Sequence, residues 1–214
     1  MYLFMFLLLP LILAAWCFYK KDSHLIPVIV AGLVTAVLVC GFRAFFLYSH
    51  RVIPFSFEKN MMYLLVHQTL LPVILIYGIF FLVSRDAISY KVEALFPLLL
   101  SFYILYLPYT ILSTSEKIFT TFPLMVKPLL FAVMIFSLGL SAKHIEKNFT
   151  AKKYFFAAVW ILISIISIVL PSVVETMYLL DMSYFLILII SGVYTLALPV
   201  LFIFSRLGKA IIKG

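Results

Sequence analysis

Charge is what this chain has least of. Only 11% of its 214 residues are Asp, Glu, Lys or Arg, against about a quarter in ordinary soluble domains. Acids are the scarcer sign, with 8 Asp and Glu to 16 Lys and Arg. With 66% apolar residues, the chain cannot hide its side chains in one core of ordinary size. Lipid must solvate much of its surface. Cysteine is also sparse. Cys17 and Cys40 each sit inside an apolar run with no CxxC partner. That does not support a disulfide framework and reads as packing. Long polar segments are missing too, so a soluble domain or nucleotide-binding module has nowhere to sit. There is no Gly-rich phosphate loop, no HExxH and no low-complexity tract, hence no cofactor motif. There is no basic tail or basic helix face. The net charge of +8 therefore does not point to nucleic acid.

What remains is about seven apolar runs, each near the twenty residues that cross a bilayer. They are Met1–Tyr19, Leu25–Tyr48, Met61–Val83, Ala94–Ser113, Phe122–Ala142, Tyr154–Val174 and Met182–Ser205. The fold class expected is an all-α, polytopic membrane bundle forming a single transmembrane domain over residues 1–214. The first run is expected to stay in the mature protein and not to act as a signal peptide. It lacks a basic leader, and Trp16 spoils a small-residue cleavage site at Ala14-Ala15. Alternate loops then carry unequal charge. One side holds eleven cations, including Lys20, Lys21, Lys143, Lys147, Lys152 and Lys153; the other holds Arg51, Lys59 and Lys117. Cytoplasmic loops are the Lys/Arg-rich ones. The N-terminus is expected outside and the C-terminus in the cytoplasm, as in a bacterial cytoplasmic membrane. On that topology the acceptor-like Asn148-Phe149-Thr150 faces the cytoplasm and stays unmodified. Within the basic loop Lys143–Lys153, the segment Lys143-His144-Ile145-Glu146-Lys147 is expected to be solvated and to face anionic lipid.

Ionisable groups inside spans are costly and point to function by default. Arg43 precedes the outer end of the second span by five residues, and Lys127 follows the outer start of the fifth by five. Both then lie roughly 7–8 Å below the outer surface at about 1.5 Å per residue. His67 and Gln68 fall at nearly the same depth on the third span. Tyr103, Tyr106 and Tyr109 recur every third residue on the fourth, near one helix face. Ser167 and Ser172 on the sixth span occupy the same half. This layer reads as the lining of a site for an anionic or amphipathic small molecule, with a lipid head group admissible. Each member also has a plainer account. Lys127 and Arg43 are shallow enough to snorkel. His67 and Gln68 suit interhelical hydrogen bonding, and the tyrosines suit packing and an interfacial belt.

Prolines add a second theme. Pro10, Pro72, Pro108, Pro128, Pro171 and Pro199 lie within spans, where each removes a helix hydrogen bond. Glu175 and Asp181 are read as flanking a short outer loop. No spacing makes an acid–base pair specific, so no catalytic residue is assigned. The scattered His residues do not suggest a metal. Three functions stand in order. The first is a small transporter or membrane-embedded solute-binding component. The second is a non-catalytic subunit packed against a membrane or cytoplasmic protein partner. The third is an intramembrane enzyme on a lipid-linked substrate, for which removal of His67 is expected to abolish turnover.

Overall fold

The computed structural model describes residues 2–20, 25–46, 56–86, 92–113 and 120–211. The loop residues Lys21, Asp22, His24, His50, Arg51, Lys91, Glu116 and Lys117 lie outside that set, as does Lys213. The described residues form seven long helices and no strand. Helices are the open-ended structures that satisfy every backbone group within one segment, as lipid requires. We label them α1 (Tyr2–Lys20), α2 (Ile26–Phe46), α3 (residues 57–86), α4 (Leu95–Ser113), α5 (residues 122–150), α6 (Tyr154–Leu179) and α7 (Tyr184–Ile211). Six carry stretches long and apolar enough to span a membrane, and α7 is apolar over Tyr184–Ala197. The chain is a multi-pass helical membrane protein.

The bundle is built around α4. This helix is buried on nearly every side, from Leu95 to Ile111. It packs against α1, α2, α3 and α5. Its seam with α2 is close because Gly32 lies against Ser101 and the Leu98 carbonyl. A second core cluster joins α5, α6 and α7 through Phe122, Leu130, Val174, Ile187 and Tyr194. Helix α5 thus belongs to both halves. The outward faces stay apolar, with Leu11, Leu38, Phe81, Phe155 and Phe185 all exposed, as lipid contact demands. Most hydroxyls inside the spans fold back on their own helix. Thr35 donates to Ala31 O, Ser164 to Trp160 O and Ser191 to Ile187 O, at 2.6–3.0 Å. That satisfies them without water.

Helices α5 and α6 run further than the hydropathy implied. The expected basic loop Lys143–Lys153 is largely helix, because α5 continues to Thr150. Lys, Glu and Ala are good helix formers and no Gly or Pro interrupts them. The stop is a Schellman motif. Lys153 N–H bonds to Asn148 O and Lys152 N–H to Phe149 O, with Lys152 at φ 56°. Helix α6 likewise passes Val174 and ends at Leu179. There Met182 N–H bonds to Met177 O and Asp181 N–H to Tyr178 O, with Asp181 at φ 53°. Glu175 is therefore not a loop residue. It lies inside α6, one turn from its C-terminal end.

Candidate functional site

The site begins with two prolines. Proline lacks an N–H, and its ring collides with the carbonyl four residues back. For Pro72 that carbonyl belongs to Gln68. The chain widens to avoid it, so residues Leu65–Leu70 form a π-helical turn in which Leu71 N–H bonds to Val66 O, five residues back. His67 then loses both helical donors for its carbonyl. The Leu71 N–H is taken, and position 72 has no N–H to offer. Helix α5 repeats the device. Pro128 would collide with the Leu124 carbonyl, and Phe122–Val126 is again π-helical, with Lys127 N–H bonded to Phe122 O. Single π turns inside α-helices concentrate at functional sites. Here both lie at the end of the bundle that the loop charges assign to the outside.

The freed His67 carbonyl collects two side chains. Tyr106 Oη donates to it at 2.7 Å and Arg43 Nη1 at 3.3 Å. Arg43 Nη1 also donates to Tyr106 Oη, and its guanidinium stands 5.6 Å from the centroid of that ring. Helices α2, α3 and α4 are pinned together by this arrangement. Arg43 therefore has a structural task, meeting a carbonyl that a proline left bare. The His67 ring points elsewhere and lies 4.4 Å from the Tyr63 ring.

A second group forms between α3, α5 and α6. Lys127 Nζ donates to Glu175 Oε1 at 2.6 Å, with the two side chains only 4% and 8% exposed. Gln68 Nε2 donates to the same oxygen at 3.3 Å. One turn inward, the Thr69 and Ser172 hydroxyls stand 3.4 Å apart. One turn outward, Tyr178 stacks on Phe122 with 4.3 Å between ring centroids and hydrogen-bonds to Thr120. This aromatic stack lies one turn beyond the pair, toward the C-terminal end of α6. Gln68 Oε1 is buried with no hydrogen-bond partner among the described residues.

No family model, no curated protein and no solved structure matches the chain. The site must therefore be read from its own chemistry.

The structure draws the sequence candidates into two adjacent groups joined through neighbouring residues 67 and 68. Arg43, Tyr106 and the backbone of His67 make one; Gln68 and Lys127 belong to the other. Tyr103 is fully buried between them and the core, its ring 5.9 Å from Tyr106 and 5.3 Å from Phe131. Its hydroxyl has no hydrogen-bond partner among the described residues. Tyr109 is half-buried and joins neither group. Ser172 takes part, whereas Ser167 lies deeper, 2.6 Å from Ser137. The residues that sequence reading passed over are Glu175 and Tyr178. The signal for Glu175 was present. It stands just past the expected outer end of one span, near the same membrane face as a lone lysine close to the outer start of the span before it. Among the described residues no group of three His, Cys, Asp or Glu side chains converges as a metal site would.

Proposed function

We propose that the protein is a membrane-embedded solute-binding component of transporter type, with the Lys127–Glu175 pair as its binding centre. It would work in a bacterial cytoplasmic membrane and take a small polar or amphipathic solute from the outer side. The observation that carries this reading is a buried ion pair between helices in an otherwise apolar interior. Such a pair is a weak source of stability, because desolvating both charges offsets their attraction. Charges kept inside a membrane bundle mark ligand and ion pathways. Supporting this, the pair borders two proline-widened turns, and interrupted helices near a site are a transporter feature. Tyr178 and Phe122 stack on each other one turn away from it.

The test is native mass spectrometry of protein extracted in mild detergent, wild type beside the doubly neutral Lys127→Met/Glu175→Met variant. The double change keeps the interior free of a stranded charge. A small bound mass in the wild type that is absent from the variant supports the reading. A stoichiometric protein companion unchanged by the substitutions, with no small bound mass, overturns it and makes the chain a subunit.

A further inference from the structure

We infer that the ligand of this site is a zwitterion, carrying a primary ammonium and a carboxylate or phosphate a few bonds apart. The inference rests on the reading of Lys127–Glu175 as a binding centre and names its substrate class. Counted from the sequence, the polar layer holds two cations, and an anionic ligand follows. The geometry removes both from that count. Arg43 is committed to the His67 carbonyl and to Tyr106. Lys127 is neutralised by Glu175 at 2.6 Å. The binding centre therefore has no net charge to offer.

Exchange chemistry then selects the ligand. A simple anion that draws Lys127 away leaves the Glu175 carboxylate buried without a countercharge. A simple amine strands the lysine instead. Stranding one member of a buried pair lowers affinity by roughly a hundredfold or more. A zwitterion replaces charge for charge, its ammonium on Glu175 and its acidic group on Lys127, and strands neither.

The amide of Gln68 provides an independent pointer. Gln68 is 1% exposed, and its Nε2 donates to Glu175, which leaves Oε1 on the same amide buried and unpartnered among the described residues. An orphan acceptor beside a carboxylate suits a ligand with several N–H donors. An ammonium has three, enough for Glu175 and Gln68 together. An anion has nothing to give that oxygen. On the other side, the ligand's acidic oxygens meet Lys127, whose ammonium has N–H donors beyond the one on Glu175. The ligand class is met by a free amino acid and by the phosphoethanolamine head group of a lipid.

The experiment separates these sources. Delipidated protein in detergent is heated with a mixture of the standard amino acids, with a mixture of the matching carboxylic acids lacking the amine, or with the matching amines lacking the acid. In parallel, protein from nanodiscs of mixed phosphatidylethanolamine and phosphatidylglycerol is examined by native mass spectrometry for retained lipid. The expected result is a raised unfolding midpoint with amino acids only, or selective retention of phosphatidylethanolamine; the first marks a free solute, the second a lipid. Two variants sharpen it. Glu175→Gln should switch the preference to the acids, gaining at least tenfold in affinity for them. Lys127→Gln should switch it to the amines. A purely structural pair would not invert selectivity in this way. If acids alone, or amines alone, stabilise the wild type, the zwitterion is overturned while the binding centre stands. If no mixture shifts the midpoint and no lipid is preferred, both fail.

Discussion

Replacing Lys127 and Glu175 separately and together tests whether their contact is a true buried ion pair. The two atoms lie 2.6 Å apart with side chains 4% and 8% exposed, so water cannot compensate either charge. Lys127→Met alone leaves a buried carboxylate whose remaining donor is the Gln68 amide at 3.3 Å. Glu175→Met alone leaves a buried ammonium and removes the acceptor of Gln68. Breaking one side of a buried pair costs about 3–5 kcal/mol, whereas replacing both by apolar groups is often neutral or better. Each single variant should therefore lose about 3 kcal/mol or more, and the double variant should lie within about 1 kcal/mol of wild type. Reversible unfolding in mixed micelles measures this. Trp160 supplies the signal, because its ring stacks on His144 of α5 with 4.3 Å between centroids. Trp16→Phe leaves it as the single indole, since the chain has two tryptophans. Single variants that cost under about 1 kcal/mol, or a double variant equal to the sum of its parts, would show that the charges are compensated elsewhere and refute the pair.

Tyr106→Phe should cost about 1–2 kcal/mol by removing the nearer of the two side-chain donors on the His67 carbonyl, and less in a Pro72→Ala background, where position 72 regains an N–H; equal costs in both backgrounds would sever the link between the proline and the tyrosine. Gly32→Ala places a methyl 2.0 Å from Ser101 Oγ and 2.7 Å from Leu98 O, so α2 must move off α4 at a cost of about 1–3 kcal/mol. Gly41→Ala, with nothing within 4 Å, should be neutral or gain up to about 1 kcal/mol from helix propensity, and thermal unfolding distinguishes the two. Lys152→Gly should stabilise by about 1 kcal/mol, because φ 56° strains any residue with a β-carbon; a loss would mean the lysine side chain matters more than its backbone. A cysteine at Lys147, with Cys17 and Cys40 changed to Ala, should resist an impermeant maleimide in intact cells and react after lysis; reaction in intact cells would invert the topology.

The segments of the fold were legible because apolar length is a one-dimensional signal, and seven runs became seven helices. Their neighbours were not legible, because the spans are apolar on nearly all sides. Nothing in Leu95–Ser113 distinguishes the central α4 from lipid-facing α2 or α6 until packing is seen. The depth argument brought Arg43, His67, Gln68 and Lys127 to one level, and the structure shows two groups there. It did not reveal what each side chain does at that level. For Arg43 the missing step was local. Pro72 leaves position 67 with a bare carbonyl, and that follows from hydrogen-bond arithmetic once the widened turn is known, but the widening itself is a tertiary choice.

Glu175 was missed for a more general reason. Reading hydropathy ends a span at the first charge, since a charge in lipid is assumed to be unpaired and expensive. That assumption removes from the membrane the very residue that would pair a cation already found there. Lys127 was kept because apolar residues continue beyond it, while Glu175 was discarded because a loop seemed near. Thr176, Met177, Tyr178 and Leu179 are all compatible with another turn of helix, and α6 takes it. A lone cation near the outer start of one span should therefore prompt a search for an acid at the matching end of its antiparallel neighbours, before the span boundaries are drawn. Applied here, that search has few candidates among the eight acids of the chain. It also changes the chemistry expected of the site, from a positive layer awaiting an anion to a neutral pair that exchanges charge for charge.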